Sequence, residues 1–304
     1  MSVEVVQKDV GYLLEGPHWD DVTKTLLYVD IYGQTIHRYD PASDQADKVN
    51  IGETVGAVVT TRSGRTLAAA KHRIGFVDWK TGGVETIVEV EQDKPTTKFN
   101  DAKCDPMGRF WAGTMGSEDT SKGPGATDKK QGSLYCLYPD RTIINRVQNV
   151  DISNGLAWTA DRKTMYYIDS LTFGVDAFDY NIETGEIANR RQAFAIPRCD
   201  GIPDGMCIDS EDMLWVALFN GAAVIRYNPK TGEKLQTIKL PTTNITSCCW
   251  GGASLDELYV TCAKHHLTKE QLEKEDTAGS LFRVTGLGVK GVKSEPFNDS
   301  ELSQ

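Results

Sequence analysis

The chain has 304 residues, 39% hydrophobic and 25% charged, with a net charge of −10. That is enough chain to bury a large core, with the composition of an ordinary folded protein. The acidic balance argues against a nucleic-acid partner, because polyanion binding needs clustered basic surface.

The opening residues 1–9 carry no basic n-region and no long apolar stretch, so the expectation is a cytoplasmic protein without a signal peptide. No apolar run approaches the ~20 residues of a membrane span, which predicts no membrane partner. Seven cysteines without a CxxC pair fit reduced thiols used as small hydrophobes. The β-rich start around Val3 is expected to add to a sheet that ends near residues 280–284 and so close a ring.

From residue 17 the chain repeats one sentence: strand, polar turn, strand. The copies are 17–30 (PHWDDVTKTLLYVD), 57–69 (AVVTTRSGRTLAA), 102–113 (AKCDPMGRFWAG), 156–169 (LAWTADRKTMYYID), 206–217 (MCIDSEDMLWVA) and 249–261 (CWGGASLDELYVT). Their β-branched and aromatic residues favour strands, and Asp, Ser and Gly favour the turns between them. A second hairpin follows, as at 35–41, 174–180 and 223–229. Anchors near 15, 56, 100, 154, 204 and 247 are 41 to 54 residues apart. Six four-stranded antiparallel units repeated radially predict an all-β, six-bladed β-propeller spanning 1–304 as one domain. Trp19, Trp111, Trp158, Trp215 and Trp250 are read as packing between blades. The Gly- and Lys-rich stretch 116–131 exceeds the template and reads as a loop over the channel mouth. Residues 265–276 read as a charged, solvent-facing insert of one or two helical turns; His265 and His266 could ligate a metal, but their place in that insert argues against it. The tail 294–304 is polar and expected to fray.

A polar residue recurs just before the first strand of these units: Glu15, Asn100, Asn154, Asp204 and, more loosely, Ser247. Brought together about one axis, Glu15, Asn154 and Asp204 would offer two carboxylates and a carboxamide, oxygen donors suited to a hard or borderline cation. The competing reading makes Asn154-Gly and Asp204-Gly simple turn formers. Asn100, Asp101 and Lys98 could hold a polyhydroxylated substrate, against an Asx-turn at the strand start. Glu118, at the root of the long loop, could reach ligand hydroxyls, or be a surface carboxylate. Gly286–Gly291 fits GxGxxG, but no βαβ unit surrounds it, and no nucleophile elbow is present.

These residues resemble the senescence marker protein/regucalcin and gluconolactonase family, which includes insect luciferin-regenerating enzymes. The resemblance runs across nearly the whole chain. It is carried by EGPHW at 15–19, FNDAKCDPMGR at 99–109, AGTM at 112–115, ISNGLAW at 152–158, YYIDS at 166–170, GIPDGMCID at 201–209, TSCC at 246–249 and VTGLGVKG at 284–291. It implies a six-bladed propeller with one divalent cation (Ca²⁺, Zn²⁺, Mn²⁺ or Mg²⁺) on Glu15, Asn154 and Asp204. It also implies substrate contacts at Asn100 and Glu118, and hydrolysis of sugar lactones. Where the family usually has Arg before its Phe/Leu-Asn-Asp, this chain has Lys98, which keeps the charge but loses the bidentate fork.

The expected chemistry is a metal-dependent lactonase. Asp204 is the preferred general base and Asp101 the second candidate, with Lys98, Asn100 and Glu118 on sugar hydroxyls. The rival readings are a calcium-binding regulator, a luciferin-regenerating role, and an inert propeller scaffold. The expected partner is a small sugar lactone, and the expected state a monomer.

Overall fold

The computed structural model describes residues 1–301, folded as six four-stranded antiparallel sheets. The first strands of the six sheets are Leu14–Asp20, Val55–Thr60, Lys98–Cys104, Ser153–Trp158, Ile202–Ile208 and Ile245–Gly251. They contact one another in sequence order, and the sixth touches the first, so they ring one axis. This is a six-bladed β-propeller, with blades 1 to 6 in chain order.

The ring closes through the N-terminus. Ser2–Gln7 pairs antiparallel with Leu281–Thr285 and becomes the outermost strand of blade 6, Val3 opposite Val284. The sixth blade is therefore built from both ends of the described chain.

The core is six layers, each lying between neighbouring blades. One joins blades 4 and 5 through Ile168, Val175, Met206 and Val216, and another joins blades 2 and 3 through Val59, Ile74, Phe99 and Phe110. The five tryptophans pack in these layers: Trp19 stacks on Tyr259 of blade 6, Trp111 meets Trp158, and Trp215 meets Trp250 edge-on. Cys248 faces the layer between blades 5 and 6, and adjacent Cys249 the layer between 6 and 1, as strand alternation requires.

The repeated turn has a chemical purpose. Asp105 is fully buried and accepts from the backbone N–H of Met107 and Arg109 and from the Trp111 indole. Asp209 does the same with Glu211, Met213 and Trp215. Each carboxylate is further paired with a guanidinium, Arg109 or Arg226. One side chain thus shapes the turn, satisfies the indole and holds the inner hairpin.

Two expectations are corrected. The tail does not fray at 294: Phe297 is fully buried among blade 2 and 3 residues, and its backbone pairs with Thr60 and Arg62. One apolar side chain in a polar stretch was enough to dock it. The insert is helical only over Lys269–Lys274, begun by a capping box between Thr268 and Gln271, and its two histidines do not face solvent.

Two outcomes follow from this architecture. Deleting residues 1–8 removes the strand that closes blade 6 and is expected to lower the thermal midpoint by roughly 5 °C or more; an unchanged midpoint would show that closure adds nothing. His18, buried at the far end of the blade 1 inner strand against Thr60, has its pKa lowered from 6.5 to about 4, chiefly by burial. The unfolded chain takes up this proton first, so stability is complete above pH 6.5 and falls as pH drops toward 4. The loss is on the order of 3 kcal/mol. His18→Gln should flatten that part of an acid denaturation curve.

Candidate metal centre

Every inner strand breaks register with its neighbour at the same level. The shifts fall between Glu15 and His18, Val55 and Ala57, Phe99 and Ala102, Ser153 and Leu156, Pro203 and Met206, and Ile245 and Ser247. A bulge leaves a residue unpaired and re-aims its side chain. Here Asn100, Asn154 and Asp204 fall within the slip and Glu15 is the last paired residue before it, opposite Val29; all four line one cavity at one end of the channel.

The glycines that follow are not turn formers. Gly155 and Gly205 lie inside strands, where neighbouring inner strands nearly touch. A Cβ on Gly205 would sit 2.0 Å from the Ser247 hydroxyl oxygen, and one on Gly155 would sit 2.5 Å from the Met206 Cβ. Ser247 thus packs against blade 5 and does not line the cavity.

The approach to two of the ligand-bearing bulges is fixed by a second carboxylate. Asp30 accepts from the backbone of Tyr12, Leu13 and Gly33, and Asp169 from that of Asp151 and Ile152. These hold the chain just before Glu15 and just before Asn154.

The floor of the cavity is acidic and buried. Glu15, Asn154 and Asp204 are 4%, 3% and 7% exposed. The carboxyl of Glu15 is pushed well above its usual range by burial, then by Asp204 and Asp101. That of Asp204 rises well above its own, again by burial and then by Asp101, although hydrogen bonds with Glu15 and Asn154 oppose this. Asn154 donates Nδ2 to the Ser170 hydroxyl, which turns its carbonyl oxygen the other way. That oxygen, Asn154 Oδ1, and Asp204 Oδ1 are buried without a partner. Crowded carboxylates with orphaned oxygens fit a divalent cation, which would remove the repulsion and satisfy the free lone pairs.

Asn100 is buried and donates Nδ2 to the Ser153 carbonyl, leaving its oxygen as its recognition atom. Asp101 is also buried, with its carboxyl raised by burial against opposing effects of Lys103 and the Ala102 N–H. It does not line the cavity that holds Asp204. Lys98 donates to the Tyr32 hydroxyl at 2.9 Å and lies over that ring, with its pKa lowered by burial.

Glu118 is 13% exposed and fully engaged: it accepts from Tyr32 at 2.7 Å, and lies 3.0 Å from His265 Nε2 and 2.7 Å from His266 Nε2. Burial alone would raise its pKa, but these partners hold it well below the usual carboxylate range. From the long loop, Pro124 and Gly125 also line the cavity, Gly125 against Leu171.

Sequence reasoning missed Tyr32 and Ser170 and set the two histidines aside as solvent-facing. The signal was topological. Tyr32, Ser170 and His265 each follow the second strand of a blade, which returns to the same end of the channel as the bulges. The charged run after His266 masked this.

One prediction tests the close approach of the strands. Gly205→Ala is expected to cost roughly 1–3 kcal/mol by overpacking against Ser247 and to weaken metal binding. Gly83→Ala, at an exposed position where the added methyl group would meet only the Thr81 side-chain oxygen, at 3.2 Å, should cost far less. Equal midpoints for the two variants in urea denaturation would refute the argument.

Comparison with known proteins agrees with this fold. A sequence model of the SMP-30/Gluconolactonase/LRE-like region matches residues 13–264. The regucalcin of Gallus gallus is 44% identical over 297 residues, covering 98% of this chain and 98% of that protein. The regucalcin of Homo sapiens is 45% identical over 278 residues, covering 91% and 92%. A solved luciferin-regenerating enzyme superposes with a TM-score of 0.90 at 37% identity, over 98% of this chain and 99% of that one. With six closed blades, a polar bulge facing the channel and near full-length identity to these relatives, the chain belongs to the SMP-30/gluconolactonase/LRE-like family.

Proposed function

We propose that this protein hydrolyses sugar lactones with the help of one divalent cation held by Glu15, Asn154 and Asp204. The observation that carries the reading is the pair of unpartnered oxygens, Asn154 Oδ1 and Asp204 Oδ1, in a buried cavity that also contains Glu15. A cation bound there supplies Lewis-acid polarisation of a carbonyl and makes water a better nucleophile at neutral pH.

The remaining work falls to the side chains. Asp204 takes the proton of the attacking water as the hydroxyl adds to the lactone carbonyl. The acyl C–O bond then breaks, and the ring oxygen leaves as an alcohol, taking up the proton that Asp204 had accepted. Asp101 is the alternative base, but its place outside the cavity favours Asp204. Lys98 and the Asn100 carbonyl oxygen hold sugar hydroxyls, and burial keeps competing solvent out. Lys98 bonds as a point charge rather than a fork, so it imposes less orientation on the sugar than Arg would. The substrate is a small molecule, the propeller acts as a monomer, and the setting is cytoplasmic.

The deciding experiment uses chelator-stripped protein and gluconolactone, with Ca²⁺, Zn²⁺, Mn²⁺ and Mg²⁺ returned one at a time. Activity should vanish on stripping and return with at least one ion. Asp204→Asn should reduce kcat by about 10²-fold or more. Full metal-dependent hydrolysis by Asp204→Ala would sink the assignment. Saturable Ca²⁺ binding without hydrolysis under any ion would move the reading to a calcium-binding regulator.

A further inference from the structure

We propose that His265, His266 and Glu118 form a second cation site, for a borderline divalent ion such as Zn²⁺, in the wall of the same cavity. The site is separate from the oxygen-only set on the floor and does not depend on the lactonase reading.

Three donors already converge there. His265 Nε2 lies 3.0 Å from Glu118 Oε2, and His266 Nε2 lies 2.7 Å from Glu118 Oε1. The ligating atoms of all three residues lie within 4.8 Å of one another. Metal–ligand bonds of about 2.0–2.2 Å place neighbouring donors roughly 3 Å apart, so little movement is needed to admit an ion. Two imidazoles and one carboxylate suit Zn²⁺ and its neighbours, whereas the floor offers oxygen alone.

The backbone is bent to make this happen. Adjacent residues in an extended chain point opposite ways. Here His266 adopts φ +65°, and the two rings end 4.1 Å apart, centre to centre. The left-handed turn at His266 thus brings both imidazoles to the same side of the chain. The surroundings fix the donors as metal sites require. The Tyr12 hydroxyl lies 3.4 Å from the second nitrogen of His265, and Tyr32 donates to Glu118. The Asn244 amide donates to the His265 carbonyl. The two imidazole side chains are only 6% and 5% exposed.

Three protein donors leave coordination open, as in catalytic rather than structural sites. An ion there would draw Glu118 away from sugar hydroxyls and offer the ligand a positive group in its place. The cavity would then recognise a substrate carrying an anionic or chelating oxygen.

The test uses Co²⁺ as a coloured stand-in for Zn²⁺ on chelator-stripped protein, read by stoichiometry and by visible absorption. Wild type should bind two Co²⁺. The His265→Ala/His266→Ala double variant should bind one and lose most of the absorption that nitrogen ligands confer. Glu118→Gln and His266→Gln, milder changes, should each weaken the same site at least tenfold. Glu15→Gln/Asp204→Asn should keep the histidine site and its spectrum. Stoichiometry and spectrum unchanged in the double histidine variant would overturn the proposal. One ion in wild type, lost with Asp204→Asn and kept without the histidines, would also overturn it while leaving the lactonase reading intact. One ion lost only with the histidines would support this site and sink the floor site instead.

Discussion

Six inner strands cannot crowd one axis in perfect register. Each therefore slips against its partner at the same level, and in blades 1, 3, 4 and 5 a polar residue at that slip lines the channel cavity. The glycines after Asn154 and Asp204 belong to the same constraint, since a single methyl group there would collide with the next blade. The candidate centre is thus a product of ring geometry. The repeat supplies a bulge in every blade, and the sequence decides which blades place an oxygen on it. Blade 2 places Val55 at that level, in an apolar layer, while blades 1, 4 and 5 supply Glu15, Asn154 and Asp204.

The fold supports the electrostatic cost of this arrangement. Buried carboxylates close together destabilise a protein unless a proton, a hydrogen bond or a cation offsets them. At the outer turns, Asp105 and Asp209 are offset by backbone N–H groups, an indole and a guanidinium. On the cavity floor Glu15 and Asp204 have only each other, Asn154 and the nearby backbone as local support. The same residue type is saturated where its role is structural and left short of donors where the channel opens. That contrast within one chain separates the candidate site from the scaffold without appeal to relatives.

The blades were legible because each hairpin repeats a local code: a polar anchor, an alternating strand, an Asp-rich turn and a second strand. Glu15, Asn154 and Asp204 were legible because they occupy one phase of that code. Gly155 and Gly205 were open to misreading, since Asn-Gly and Asp-Gly favour turns locally and only the neighbouring blade explains their place in a strand. His265 and His266 were hidden by the charged residues that follow them. Nothing local announces a left-handed histidine or a loop that folds inward. Phe297 shows the same limit, because a tail reads as polar by average while one side chain finds a layer between blades.

The cavity divides its labour by depth. Its floor comes from strand residues held by paired hydrogen bonds and by contact with the next blade, so its donors are fixed wherever the ring is intact. Its wall comes from loops: Tyr32 after the second strand of blade 1, Glu118 after that of blade 3, and His265 and His266 after that of blade 6. Loops can change composition without disturbing the ring. A propeller of this kind can keep one chemistry on its floor while its wall sets the partner. In this chain the wall carries Tyr32, Lys98 and a His–Glu–His cluster among apolar side chains, and among the described residues no arginine lines it. Under the proposed function, point charge and imidazole nitrogen would take the place of a guanidinium fork, and specificity would rest on these wall residues rather than on the three oxygen donors beneath them.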